Sequence, residues 1–224
     1  MGIALLIRHG RSTANVDGIL AGRMPGVRLH HSGHVQAEAL ASAFHGIACA
    51  SIHVSPLERT LETASIIFGE QAFDTADELL ECDYGTWSGR KIAELADDPL
   101  WELLHAEPSA TRFPGGESIP EVAHRIIDFV ARKAAPNGLH VFVTHADPIM
   151  IAVGHAAGAP VDAYQRIDVE PCSLSVLLVK GDRSGVVAVN VPPTGAAATL
   201  QSLQHWERTT VSEGGHDDAN RPPV

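Results

Sequence analysis

Two histidines in this sequence stand directly behind short apolar runs. His9 closes Ile3-Ala4-Leu5-Leu6-Ile7-Arg8-His9-Gly10, and His145 closes Val141-Phe142-Val143-Thr144-His145. Uninterrupted apolar runs of this length read as strands covered on both faces in a parallel sheet. Ligands of such sheets bind beyond the carboxyl ends of the strands, so both imidazoles are expected in one crevice although they lie far apart in the chain. Arg8 arrives with His9. Arg59, in Ser55-Pro56-Leu57-Glu58-Arg59, is placed near the start of a helix that follows a strand over residues 50–54. Two forked guanidiniums, two imidazoles and helix N-terminal amides make a cradle for a phosphate dianion that calls for no metal. Inside such a cradle a neutral imidazole nitrogen can attack phosphorus in line, and His9 is the candidate nucleophile. The departing alkoxide needs a proton. A carboxyl beside a phosphate holds its proton more tightly, so Glu81 and Asp83 both qualify as the acid.

The elements that must position these groups alternate between strand and helix. Ser32 is the expected cap of a helix to Phe44, with Val35, Ala39, Leu40 and Ala43 as its apolar stripe. Residues 79–88 read as a loop or irregular strand at the sheet edge. Ser118-x-x-Glu121 has capping-box spacing and opens a helix toward Ala135, and residues 148–158 read as helical. Residues 174–179 and 185–191 form an expected hairpin around a turn at 181–184. The fold class is therefore α/β, a three-layer sandwich with a mostly parallel central sheet and helices on both faces. One domain is expected over residues 1–191, with a substrate-cap insertion at 90–118; residues 192–224, rich in Pro, Gly, Ala and Thr, are expected to be a mobile tail apart from a short segment around Trp206.

The chain has 224 residues, 45% of them hydrophobic and 19% charged, with a formal net charge of −11. That charge disfavours nucleic acid and anionic membrane surfaces as partners. No stretch approaches the roughly 20 apolar residues of a membrane span, and the N-terminus has no leader pattern, so a cytoplasmic location is expected. Cys49, Cys82 and Cys172 are too scattered for a disulfide framework or a CxxC metal site. His30-His31-x-x-His34 lacks carboxylate or thiol partners nearby, so no metal site is assigned, and no cofactor. The expected partner is a small phosphorylated metabolite, and a homodimer is allowed.

At this point the residues resemble a known family. Arg8-His9-Gly10-Arg11-Ser12-Thr13 after a strand, with Asn15, is similar to the histidine phosphatase superfamily in its phosphoglycerate mutase-like branch. Further markers follow in order: Gly33-x-x-Gln36-Ala37, Ser55-Pro56-Leu57-x-Arg59-x-x-x-Thr63-Ala64, Glu81-x-x-Tyr84-Gly85-x-Trp87-x-Gly89, Phe113-Pro114-Gly115-Gly116-Glu117-Ser118 and Thr144-His145. The resemblance spans roughly residues 1–191. It implies His9 as nucleophile, Arg8, Asn15, Arg59 and His145 as phosphate ligands, and Glu81 rather than Asp83 as the proton donor. Ala146 stands where the family usually has glycine, so its amide approaches phosphate less freely.

Phosphoglycerate mutases of this branch usually carry an arginine after the acid and paired arginines in the following insertion. Here Cys82 takes the first place and residues 101–113 offer only Arg112, which favours water as the phosphoryl acceptor. Residues 13–23 and 98–110 are similar to an actinobacterial subgroup classed as phosphomutases or acid phosphatases. Substrate choice is assigned to residues 15–30 and 90–118, with Gly22, Arg23, Tyr84 and Arg112 as candidate contacts. The leading expectation is a metal-independent phosphomonoesterase; the alternatives are a phosphomutase and a phosphate-binding regulatory module without turnover.

Overall fold

The computed structural model describes residues 1–134, 137–180 and 183–212. Its six strands are β1 (Gly2–Arg8), β2 (Ser51–Val54), β3 (Asp74–Thr75), β4 (Gly138–Thr144), β5 (Leu174–Lys180) and β6 (Arg183–Val191). They form one sheet in the order β3-β2-β4-β1-β5-β6. The first four strands run parallel, and β5 and β6 close the sheet as an antiparallel hairpin. Arg8 is in register with Thr144, so His9 and His145 leave the sheet side by side.

Eight helices are present among the described residues: α1 (Thr13–Asp17), α2 (His31–Ala43), α3 (Glu58–Phe68), α4 (Ile92–Leu95), α5 (Pro99–Ala106), α6 (Ile119–Lys133), α7 (Ala146–Ala156) and α8 (Pro193–Ser212). The strand period of two divides β1 between two cores. Ile3, Leu5 and Ile7 pack with Leu40 of α2, Ala64 and Ile67 of α3 and Leu200 of α8; Ala4 and Leu6 pack with Val122 and Ile126 of α6 and Ile149 of α7. The result is the expected three-layer sandwich. Residues 90–118 fold over the second core and bury Leu95, Leu104 and Phe113 in it. No described helix is long and apolar enough to cross a membrane.

Two local expectations change, and residues 79–88, read as a loop or irregular strand, take the loop form. Residues 193–212, assigned to a mobile tail apart from a short segment around Trp206, form α8, whose Ala196, Leu200 and Leu203 are buried in the first core. Their i, i+4, i+7 spacing is an apolar helical stripe behind Pro193 at the helix start, and it outweighs the tail-like composition. In α2 the cap is His30, whose Nδ1 accepts the Ser32 amide, and the buried face is Gly33, Ala37, Leu40 and Ala43, leaving Val35 exposed. Residues 79–88 contain no strand, only single turns at Asp77–Leu79 and Gly85–Trp87. Positions 181–182 of the expected hairpin turn and residues 213–224 of the expected tail lie outside the described residues.

Candidate active site

The strand ends and the start of α3 bring His9, Arg59 and His145 into one buried cluster. The His9 and His145 rings stand edge to face with centroids 5.1 Å apart. Arg59, only 1% exposed in the second position of α3, lies between them: its Nε donates to His9 Nε2 at 3.2 Å and its Nη2 to His145 Nδ1 at 3.1 Å. A guanidinium only donates, so both ring atoms are lone pairs. His9 therefore carries its proton on Nδ1, which donates to the Gly10 carbonyl at 2.7 Å. His145 carries its proton on Nε2, facing the Ser55 hydroxyl at 2.8 Å. Burial, then the charge of Arg59, holds both histidines well below the usual imidazole range, so both are neutral at neutral pH.

Arg8 completes the cationic side. Its Nη1 donates to the Val169 carbonyl, and its own carbonyl, with that of His9, accepts the Cys172 amide at 3.1 and 3.2 Å. Cys172 takes a left-handed backbone conformation, φ 59°, to make this contact. Three buried side-chain polar atoms have no hydrogen-bond partner among the described residues: Arg8 Nε, Arg59 Nη1 and Ser173 Oγ. Two of them belong to the guanidiniums flanking His9, and Ser173 accepts the Arg8 amide through its carbonyl. An orphaned buried donor costs about 1–3 kcal/mol, which an anionic oxygen would offset.

Backbone close approach fixes the His9 loop. A Cβ at Gly10 would sit 2.7 Å from the Gly33 carbonyl oxygen, and one at Gly33 would sit 2.2 Å from that of Arg11. The Gly10 amide donates to Thr63 Oγ1 at 3.0 Å, and the Arg11 amide to Gln36 Oε1 at 2.9 Å. The sequence markers Gly33, Gln36 and Thr63 thus hold the loop that carries His9.

On the opposite side Glu81 is 7% exposed, and its Oε1 accepts the Cys82 amide at 3.0 Å. Burial, then the nearby Asp147 carboxylate, pushes Glu81 up to about 7, while Arg59 pulls the other way. Its peptide carbonyl accepts Arg23 Nε at 3.0 Å and Arg125 Nη2 at 3.1 Å. Glu117 ties both arginines together, at 2.8 Å to Arg23 and 3.0 Å to Arg125, and accepts the Asp83 amide at 3.0 Å.

The remaining candidates divide. Gly22 is at the cluster, its carbonyl accepting Arg59 Nη2 at 2.8 Å. Tyr84 reaches the acid's side, where its hydroxyl donates to Asp147 Oδ2 at 2.8 Å. Asn15 uses its carbonyl oxygen on the Ser12 amide (3.0 Å) and hydroxyl (2.9 Å), so its carboxamide NH2 is the end left to donate. Ala146 is the first residue of α7, behind His145 as cap, where helical backbone suits alanine without strain. Arg112 is set apart, exposed and paired with Glu121 at 2.5 Å. The acid Asp83 uses its carboxylate on the Gly85 amide at 3.0 Å. Asp147, Arg125 and Ser173 were not singled out from sequence; the signal for Asp147 was its place two residues beyond His145. A depression of about 500 Å³ at the β3 edge, lined by His53, Asp74 and Lys133 among others, holds none of these residues.

A parallel sheet with an imidazole-guanidinium cluster at its strand ends, and a buried carboxyl facing it, is the arrangement of an enzyme acting on phosphate esters. The chain belongs to the histidine phosphatase superfamily (branch 1), whose family model matches residues 4–192. It is 30% identical over 182 residues to the 2,3-bisphosphoglycerate-dependent phosphoglycerate mutase of Thermoplasma acidophilum, covering 80% of this chain and 88% of the mutase. It is 28% identical over 193 residues to phosphoserine phosphatase 1 of Hydrogenobacter thermophilus, covering 84% of this chain and 91% of that relative. The fold matches the crystal structure of phosphoserine phosphatase from Entamoeba histolytica in complex with 3-phosphoglyceric acid, with a TM-score of 0.77 at 24% identity over 85% of this chain and 97% of the other.

Proposed function

We propose that the protein is a metal-independent phosphatase that hydrolyses small phosphomonoesters through a phosphohistidine on His9, with Glu81 as proton donor. The observation that carries this reading is the pairing of a lone pair on His9 Nε2 with two flanking guanidiniums that each keep a buried nitrogen without a partner among the described residues. Arg8, Arg59, His145 and the Asn15 carboxamide would hold the non-bridging oxygens, taking the place of the contacts that Arg59 makes with the two imidazoles. His9 Nε2 forms a bond to phosphorus as the ester oxygen departs and takes the Glu81 proton. Water then attacks the phosphohistidine, gives a proton back to the Glu81 carboxylate, and releases phosphate and His9. Charge on the equatorial oxygens meets fixed guanidiniums, which supply the stabilisation that a metal supplies elsewhere.

A mutase reading has the Thermoplasma relative in its favour. Against it, Cys82 beside the acid is buried and Arg112 is occupied by Glu121, so a carboxylate clamp for phosphoglycerate lacks its cations. The test is turnover of p-nitrophenyl phosphate by the full chain, with and without chelator, beside 3-phosphoglycerate with a bisphosphate primer. The reading expects chelator-insensitive hydrolysis that His9→Ala abolishes, and phosphate release rather than isomer from phosphoglycerate. Loss of activity with chelator, or isomer forming faster than phosphate, contradicts it.

A further inference from the structure

Asp147 is a half-buried carboxylate that this hydrolysis sequence does not consume. It sits in the first turn of α7, two residues beyond His145, with its Oδ2 on the Tyr84 hydroxyl at 2.8 Å. Tyr84 is 6% exposed and its ring packs edge-on against Phe113, centroids 5.0 Å apart. The backbone beneath it is equally fixed: a Cβ at Gly85 would lie 2.1 Å from the Pro114 carbonyl oxygen, and one at Gly116 would lie 2.1 Å from that of Asp83. Asp147 is thus held by a phenol that has little room to move.

Asp147 lies near enough to Glu81 for its negative charge to push the Glu81 carboxyl up. Two such carboxyls titrate as a pair, and over a range of pH they keep one proton between them. The groups facing the pair are Arg8 from β1, Arg59 from α3 and Arg125 from α6, Cys82 and Tyr84 from the acid's own loop, and Tyr164 from the turn at Val161–Arg166. Their placement is uneven. Burial pushes Asp147 up as well, but the Tyr84 O–H donates to it, and Arg8 and Arg125 also favour its ionised form. Glu81 accepts from the Cys82 amide, and Arg59 and Arg8 draw it down, yet burial and Asp147 leave it raised. Aspartate is also the intrinsically stronger acid.

We propose that Asp147, anchored by Tyr84, is a positioning residue that takes the pair's negative charge and so keeps the proton on Glu81 at neutral pH. It rests on the His9–Glu81 reading above and adds that hydrolysis of esters with poor leaving groups depends on Asp147. A bond that only ties the loop to α7 would affect all esters alike.

The experiment measures kcat/KM, which reports phosphoryl transfer to His9 and not the later hydrolysis shared by both esters, against pH for the full chain, Asp147→Asn and Tyr84→Phe, with phenyl phosphate and p-nitrophenyl phosphate. p-Nitrophenolate departs largely without a proton, whereas phenolate needs the one on Glu81. With phenyl phosphate, the alkaline limb is expected to move about one unit lower in Asp147→Asn, and in the same direction in Tyr84→Phe. At pH 8 the ratio of the phenyl to the p-nitrophenyl rate then falls about tenfold. An unmoved limb, or an equal fall for both esters, overturns the proposal; should Asp147→Asn fail to fold, Tyr84→Phe decides it alone. Base-quenched labelling of His9 in the unsubstituted protein separates the two layers. Label with an unmoved limb removes this proposal only, and absence of label removes it together with the reading beneath it.

Discussion

On the phosphate side of the site, Arg8, His9 and His145 hang from the ends of β1 and β4, and Arg59 from the start of α3. On the acid side, Glu81 and Tyr84 lie on an irregular segment, and are held by Arg23, Arg125 and Glu117 from three other places in the chain. The first set inherits its geometry from sheet register, where one strand end fixes the next. The second depends on a charged network and on glycine contacts such as Gly85 against Pro114. The difference separates two tasks. An anion needs fixed donors at fixed spacing, whereas a proton donor, the role proposed for Glu81, needs an environment that sets its affinity for the proton, and burial beside Asp147 raises that affinity.

Breaking the phosphate side should cost most. Arg59→Ala is expected to lower kcat/KM about a hundred- to thousandfold, the usual loss for one preorganised donor. Arg59→Lys should recover little, because a point charge does not replace a fork that serves His9, His145 and Gly22 together. Steady-state kinetics on purified variants checks both, and a Lys variant near full activity would show that charge alone suffices.

Breaking the acid itself should cost less and depend on pH. Glu81 acts as a donor only while protonated, and its protonation is lost as pH rises through about 7, so kcat for phenyl phosphate should fall above that pH. Glu81→Gln is expected to lower that rate about a hundredfold at pH 6 and to remove the fall above 7. A variant that keeps the same alkaline limb would assign it to another group.

The smallest effect is expected outside both sides. Arg112→Ala removes an exposed ion pair with Glu121, and should change stability by less than about 0.5 kcal/mol and leave kcat/KM unaltered. Thermal denaturation and the same rate assay measure it, and a large rise in KM would return Arg112 to the substrate contacts. Stability and chemistry separate on α8, where Leu200→Ala should cost about 2–5 kcal/mol by denaturant unfolding through the cavity it leaves beside β1.

The phosphate side was legible because its signals are local: an apolar run, then Arg8-His9, and again an apolar run, then Thr144-His145. Parallel-sheet topology supplies the long-range step that brings them together. The acid side was legible only in part. Local chemistry left Glu81 and Asp83 equal, and the resemblance chose between them; in the structure Asp83 is occupied by the Gly85 amide and Glu81 is the buried one. Asp147 and Arg125 carry no local mark, since a carboxylate in a first helical turn and an arginine in an amphipathic helix look like ordinary solvated residues. Only tertiary burial distinguishes them. α8 shows the opposite failure: Ala196, Leu200 and Leu203 announce a helix face by spacing, and small-residue composition concealed it.

The central claim is a covalent bond between phosphorus and His9. Mixing the protein with a 32P-labelled phosphomonoester, quenching in denaturing base and mapping the labelled peptide tests it most directly. The account predicts label on the peptide carrying His9, attached at Nε2, appearing within a turnover and vanishing on chase with unlabelled ester. Turnover with no label on His9, or label on His145 in its place, would contradict it.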